Sequence, residues 1–435
     1  MCSFLFTNKK NSNLEESNFL LKKRGPDFTN ISEIQGKFYL HNLLSITGEF
    51  TPQPLTKGDL VMLYNGEIYN YLEFGDYKSD GECILDLFEN FGVSSFEKLD
   101  GEFAIFIHDT KSNKIYLCTD TFGTKPLYYS IENGEIGISS YPNPLSLLGF
   151  SSSKRCSPNS ITVISGEDFS GVEFFPLYNF NLDQFKNNYE DWIYAFKESV
   201  KKRSLGVGHE ILVPLSSGYD SGSISCCLNQ LNLDYVSYSV MGRENPNILN
   251  SRISINQNTK KEIINSIPPD EIEKIKEKFK SEVQPFHYGP NPNEITHVGF
   301  EDPGAMGLYY VLSSAKEKYG VKIVLSGQGS DEIMNNIQTY GFKTKNPERF
   351  TSSLEGIFPW GNFFYGSQWS YLMKEECVAG SLGLETRYPF LDRRVVQEYL
   401  NLSPDLKNQF YKAPLRKYLI DNSYPFSEEK IGFNI

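Results

Sequence analysis

Residues 211–222 read Ile-Leu-Val-Pro-Leu-Ser-Ser-Gly-Tyr-Asp-Ser-Gly. The apolar run at 211–215 predicts a buried strand, and 222–231 predicts a helix, so Ser216, Ser217, Gly218, Asp220 and Ser221 fall on the turn between them. In an open α/β sheet that turn is where ligands bind. It lies at the carboxyl end of a strand, beside the unpaired N–H groups of a helix start. Small residues let those N–H groups and the hydroxyls approach phosphate oxygens, and Asp220 offers an oxygen ligand for the Mg²⁺ that phosphates bring. No Gly-Lys-Ser/Thr follows, so this is not a Walker A loop. Taken alone, the segment is equally an ordinary strand-to-helix turn, which also favours Ser, Gly and Asp.

A second segment of the same kind lies downstream. An apolar run at 321–325 leads into Ser326-Gly327-Gln328-Gly329-Ser330-Asp331-Glu332. Two such loops in one sheet would place Asp220 and Asp331 around one metal–polyphosphate. The surrounding chain alternates strand-like runs (211–215, 235–240, 321–325) with helical ones (222–231, 305–319), which predicts a parallel sheet with helices on both faces.

The first 175 or so residues differ. Apolar runs at 103–107 and 115–118, joined by a polar turn, predict a hairpin; 60–64, 136–138 and 161–164 predict further strands, and 82–91 carries an apolar helical face. This mixture predicts a layered α+β domain. The polar stretch 178–188 is the expected boundary, giving domains at 2–177 and 189–435.

Composition narrows the function. The chain has 435 residues, 39% apolar and 14% aromatic, enough for two packed cores. With 42 basic and 54 acidic residues the net charge is −12, which is unsuited to non-specific binding of nucleic acid or anionic membrane. No apolar run is long enough to span a bilayer, and the opening Met-Cys-Ser-Phe-Leu-Phe-Thr-Asn-Lys-Lys is unlike a secretory signal. The seven cysteines are scattered without CxxC spacing and the five histidines lack metal-ligand spacing, so a disulfide framework and a zinc site are not expected and a reducing cytoplasm is. Cys2 stands apart. If Met1 is removed, its free α-amine, with an unperturbed pKa of about 7.7–8.0, can accept the thiol proton, so that one residue holds nucleophile and base. By position alone, Cys2 is more simply the residue that happens to follow Met.

The residues together resemble the glutamine-dependent asparagine synthetase family. Cys2, Arg24-Gly25-Pro26-Asp27, Asn65-Gly66-Glu67-Ile68-Tyr69-Asn70, Ser79-Asp80-Gly81-Glu82, and Asp120 with the run at 122–129 look like its glutaminase half. The loops at 216–221 and 326–332, then Tyr-Pro-Phe-Leu-Asp at 388–392, Lys-Ala-Pro-Leu-Arg at 412–416 and Lys-Ile-Gly-Phe at 430–433, follow in the family order. The stretch 241–300 carries none of its motifs. The resemblance implies an N-terminal-nucleophile (Ntn) hydrolase domain, a four-layer αββα sandwich, followed by a parallel-sheet ATP-pyrophosphatase (PP-loop) domain. It implies that Cys2 attacks the glutamine amide, that Asn65 and Gly66 form the oxyanion hole, and that Glu67 and Asp80 grip the glutamine amino group. Ammonia would pass to the second domain. There Ser216, Ser217, Gly218, Asp220, Ser221, Val240, Ser326, Gly327 and Gln328 would hold ATP, Asp220 and Asp331 the Mg²⁺, and Lys430 the phosphates, while a carboxylate is adenylated. Aspartate is the default acceptor, and the resemblance leaves room for a homodimer.

Three departures bear on this. Leu43 stands where the family has the Arg that grips the glutamine carboxylate, and Leu cannot donate a hydrogen bond. Ser217 stands where Gly is usual, and Gln328 where the family has a Glu; Gln cannot act as a base. Two alternatives therefore stay open: an amide ligase of the same fold that uses free ammonia or a substrate amine on another carboxylate, and an inactive binding or regulatory protein.

Overall fold

The computed structural model describes residues 1–10, 13–206, 208–256, 260–288, 297–334 and 350–427. They form two compact units: Met1–Asn179 with Glu282–Gln284 and Gly380–Gly383, and the rest of the described chain.

The first unit opens with β1 (Ser3–Thr7), β2 (Phe28–Ile34), β3 (Lys37–Leu43), β4 (Leu55–Lys57), β5 (Leu60–Ile68) and β6 (Gly101–Asp109). It continues with β7 (Lys114–Thr119), β8 (Tyr128–Glu132), β9 (Glu135–Ser139), β10 (Lys154–Arg155), β11 (Ser160–Ser165) and β12 (Gly171–Pro176). These pair into two six-stranded antiparallel sheets, ordered β10-β8-β9-β1-β3-β2 and β12-β11-β7-β6-β5-β4. Strand side chains alternate between faces, and the alternation reveals the stacking. Phe4 and Phe6 of β1 share a core with Val61 and Leu63 of β5 and with Ala104 and Phe106 of β6, so this core lies between the sheets. Met62, Tyr64, Phe103, Ile105 and Ile107 turn the other way, onto Ile84, Leu85, Leu87 and Phe88 of the helix Cys83–Phe91. The helices Phe19–Arg24 and Pro142–Leu147 cover the other sheet. The unit is the expected αββα sandwich. Burial of both faces explains why the 103–107 run is uniformly apolar rather than alternating. The predicted hairpin is β6–β7, registered from Ala104↔Thr119 to Asp109↔Lys114.

The second unit holds β13 (Ile211–Pro214), β14 (Val236–Val240), β15 (Lys260–Ile264), a short ribbon of β16 (His287–Tyr288) and β17 (His297–Val298), then β18 (Ile323–Leu325) and β19 (Glu385–Arg387). Apart from the ribbon they form one parallel sheet, ordered β15-β14-β13-β18-β19. The chain winds outward from β13 through β14 to β15, then returns to the opposite side of β13 with β18. Strand order therefore reverses between β13 and β18, and the crevice beyond their carboxyl ends is the place an α/β sheet offers a ligand. The two small-residue loops leave from these two strands. The first helix after β13 spans Tyr219–Gln230, three residues earlier than apolar spacing predicts, because its first turn is built from Tyr219, Asp220 and Ser221. The acidic residue there suits the positive end of the helix dipole.

Away from the crevice, Asp392 ties two helices together. It caps the helix Arg393–Asn401 by accepting the Arg394 N–H at 2.9 Å. Its carboxylate also pairs with Arg203 Nη1 at 2.9 Å and with Lys202, both on the helix Glu190–Ser204.

Candidate active sites

In the first unit, Cys2 immediately precedes β1 and shares the parity of Phe4 and Phe6. Asn65 shares the parity of Val61 and Leu63 on β5. By the strand period both belong to the face between the sheets. Cys2 is half-buried; its Sγ lies 3.8 Å from the Leu44 carbonyl, and Arg24 Nε donates to the Cys2 carbonyl at 3.1 Å. Arg24 also donates to Tyr141 Oη at 2.8 Å and to Met1 Sδ at 3.0 Å, so the chain start is held from below by one buried guanidinium. Asn65 is fully buried, and both its side-chain amide atoms lack a partner among the described residues. A buried amide of this kind costs roughly 1–3 kcal/mol unless something fills it, so it suits an oxyanion or amide ligand. Gly66 has φ +150°, and a Cβ there would meet the Glu102 carbonyl oxygen at 2.1 Å, so only glycine fits the position.

Glu67 and Asp80 are both buried. Asp80 Oδ2 accepts from Tyr64 Oη at 2.6 Å and from the Ile68 N–H at 2.9 Å, which fixes the carboxylate against β5. Leu43 is buried too, at the end of β3.

In the second unit, a cavity of about 410 Å³ opens at the β13/β18 crevice. Ser216, Gly218, Asp220 and Ser221 line it from the first loop, and Ser326, Gly327, Gln328 and Asp331 from the second. The first loop is internally braced. Ser221 Oγ accepts the Ser216 N–H at 3.0 Å, and Ser216 Oγ accepts the Gly218 N–H at 3.2 Å. Ser217 does not line the cavity; its N–H donates to Glu244 Oε2 at 2.6 Å and its hydroxyl bonds the same oxygen. Val240 is buried at the end of β14, away from the cavity lining. Lys430 lies outside the described residues.

The acidic side chains of the two loops do meet. Lys412 Nζ lies 2.6 Å from Asp220 Oδ1 and 2.9 Å from Asp331 Oδ1. Ser330 Oγ donates to Asp220 Oδ1 at 2.5 Å, and Tyr411 Oη to Asp331 Oδ1 at 2.5 Å. Lys412 is buried; burial alone would lower its pKa, but the two carboxylates outweigh that and raise it, so it stays charged. Two carboxylates thus share one cation position. No group of three or more His, Cys, Asp or Glu side chains converges as a metal site among the described residues. Two carboxylates suit Mg²⁺, which takes few protein ligands and completes its shell from phosphates and water. Removing the lysine tests this donor set. Lys412→Met is expected to cost about 2–3 kcal/mol, less than a fully sealed pair because the Asp220 side chain is 27% exposed, and MgCl₂ should restore part of the loss. Thermal unfolding of the variant with and without MgCl₂ is the measurement; indifference to the metal refutes the shared cation position.

Residues 1–161 match the glutamine amidotransferase domain family, and residues 192–376 match the asparagine synthase family. Across most of its length the chain is 28% identical to asparagine synthetase [glutamine-hydrolyzing] of Gallus gallus, covering 92% of this chain and 76% of that one. It is 26% identical to the Homo sapiens enzyme of the same name, covering 92% and 77%. The chain belongs to the glutamine-dependent asparagine synthetase family. It is an enzyme of the glutamine-hydrolysing asparagine synthase type, and ATP use follows from the family. None of its described helices is long and apolar enough to cross a membrane.

Several site groups of this family member carry no warning in the sequence. Lys412 stands in a motif that was visible at 412–416, but nothing in the spacing predicts its position between two loops about 80 and 190 residues away; only the fold brings it there. Glu244 and Arg252 fall in the stretch without motifs. Arg252 is fully buried, donates to the Ser216 carbonyl and to the Pro425 carbonyl (2.8 Å), and so supports the first loop from behind. Glu375 sits in the helix Gly366–Ser381, where no pattern distinguishes it from a surface glutamate.

Proposed function

We propose that this enzyme hydrolyses glutamine at Cys2 and uses the nitrogen to amidate a carboxylate that it first adenylates with ATP, converting aspartate to asparagine and releasing AMP, pyrophosphate and glutamate. The observation that carries the reading is the convergence of Asp220 and Asp331, from loops on adjacent parallel strands, onto one cation position. Adenylation is a chemical necessity, since a bare carboxylate resists attack by ammonia while an acyl-adenylate has a leaving group. In the first unit Cys2 forms a thioester. Asn65 and the Gly66 N–H stabilise the negative charge that develops on the amide oxygen, and Glu67 and Asp80 hold the amino group of glutamine. In the second, the braced Ser216–Ser221 backbone and the start of the helix Tyr219–Gln230 take the phosphates, with Lys430 as a further positive charge. Mg²⁺, when bound through Asp220 and Asp331, offsets phosphate charge.

Leu43 favours a second reading, in which free ammonia or a substrate amine supplies the nitrogen, because a buried leucine offers no grip on a glutamine carboxylate. Mass spectrometry of products from glutamine, ATP, MgCl₂ and aspartate separates the cases. Asparagine formed with AMP and an equal amount of glutamate supports the first. Asparagine formed only from added ammonium supports the second. No AMP with aspartate or with any other acid in a panel refutes both, and turnover should vanish in Asp220→Ala and Asp331→Ala.

A further inference from the structure

Five carboxylates line the second unit's cavity among the described residues: Asp220, Glu244, Asp331, Glu332 and Glu375. Four are already engaged. Asp220 and Asp331 face Lys412. Glu244 accepts the Ser217 N–H. Glu332 accepts from Gln328 Nε2 and from Ser367 Oγ, each at 3.2 Å. Glu375 differs. Its Oε1 accepts from Ser326 Oγ at 3.0 Å, but its Oε2 is buried without a hydrogen-bond partner among the described residues. Leaving such an acceptor empty is costly, so the position is built for a ligand that donates a proton.

The placement matches a need of the reaction. Ser326 Oγ also accepts the Gln328 N–H at 3.1 Å, so one hydroxyl links Glu375 to the second loop. Gln328 lines the same cavity but cannot take a proton. Among the described residues no histidine lines it, and its tyrosines, Tyr219, Tyr371 and Tyr411, belong to a type too weakly acidic to be ionised at neutral pH. The nitrogen that attacks an acyl-adenylate must nevertheless lose a proton.

We propose that Glu375 is the catalytic base of the amide-forming step. This rests on the amidation reading above. The nitrogen lone pair forms a bond to the acyl carbon, Glu375 Oε2 takes the proton that the nitrogen sheds, and the C–O bond to the phosphoryl oxygen breaks with its electron pair leaving on AMP. The products are an amide, AMP and a protonated Glu375, which returns its proton to solvent. Burial pushes the Glu375 carboxyl up to about 7, against the opposing pull of the Ser326 hydrogen bond and of Lys374. Glu376 on the same helix and Glu332 on the short helix Ser330–Met334 push it in the same direction as burial, and Lys374 is itself paired with Asp302 at 3.2 Å. A base poised near neutrality transfers protons most effectively there.

The test uses the full-length enzyme and two readouts: aspartate-dependent exchange of labelled pyrophosphate into ATP, which reports adenylation, and asparagine formation from ammonium chloride. Glu375→Gln keeps the shape and the Ser326 contact. It is expected to hold exchange within about threefold while amide formation falls by about 10²–10³-fold. With total ammonium chloride adjusted to hold free ammonia constant at each pH, the wild-type amide-forming rate should rise through about pH 7 and the variant should lose that rise. Retained exchange also shows that the variant is folded. Amide formation and exchange falling together, neither changing, or the pH dependence surviving in the variant would each overturn the proposal. Wild-type enzyme that exchanges no pyrophosphate with any acid instead overturns the amidation reading, so the two failures are distinguishable.

Discussion

Cys2→Ala is expected to abolish glutamate release from glutamine, by about 10⁴-fold or more, while amidation from ammonium chloride survives. The size of the effect follows from concentration of function. In a processed chain, one residue supplies both the attacking sulfur and, through its α-amine, the base that ionises it. In the proposed mechanism Asn65 and Gly66 stabilise a developing oxyanion, but without the sulfur no tetrahedral adduct forms for them to act on. The other described cysteines offer no substitute. Burial pushes the thiols of Cys83 and Cys156 up to about 12, so neither is ionised at neutral pH. Cys2→Ser should also lose most of the activity, because a hydroxyl is a much weaker nucleophile than a thiol at neutral pH. A glutamate assay on the purified variants decides the matter, together with mass spectrometry of the intact N-terminus. Undiminished glutamate from Cys2→Ala would remove the glutaminase assignment from this residue.

Asp392→Ala should be the most damaging single change to folding, at about 3–5 kcal/mol. It leaves Arg203, whose side chain is 2% exposed, as a buried charge without its carboxylate, and it strips the cap from the helix Arg393–Asn401. The wild-type pair also predicts an acid response. Burial alone would push the Asp392 carboxyl up, but Lys202 and Arg203 outweigh it and hold the group well below the usual carboxylate range. A depressed folded-state pKa means that the stabilisation is complete above the unfolded value, near about 4, and is lost as pH falls below it. Denaturant unfolding at neutral pH and again near pH 3 should therefore show the gap between wild type and Asp392→Ala narrowing in acid. A gap that stays constant, or is under 1 kcal/mol at neutral pH, contradicts the pairing.

The contrast between what the amino-acid order revealed and what it hid has a physical basis. Strand and helix periods are local, so the αββα sandwich, the β6–β7 hairpin and the parallel sheet all left readable patterns. The loops at 216–221 and 326–332 were readable as turns for the same reason, and it was their recurrence after two buried strands, not either one alone, that set them apart from ordinary turns. Partners joined only by the fold were not. Nothing near Lys412 announces two carboxylates, and nothing near Glu244 announces the Ser217 N–H it accepts. Ser217 shows the limit from the other side. Its identity was read as an unusual phosphate contact, yet its N–H and hydroxyl both turn to Glu244 and it leaves the cavity to its neighbours.

The reversal of strand order between β13 and β18 also bears on how such a protein can diversify. Neighbouring strands in a ladder keep a spacing of about 4.8 Å whatever chain connects them. The two loops that hang from these strands therefore keep their separation even when the connection between β15 and β18 is lengthened, shortened or rewritten. The later part of the motif-poor stretch 241–300, from residue 265 on, lies in that connection. Changes there leave the spacing of the two loops to the sheet, whereas Glu244 and Arg252, which brace the first loop, lie ahead of β15 and are not free to change.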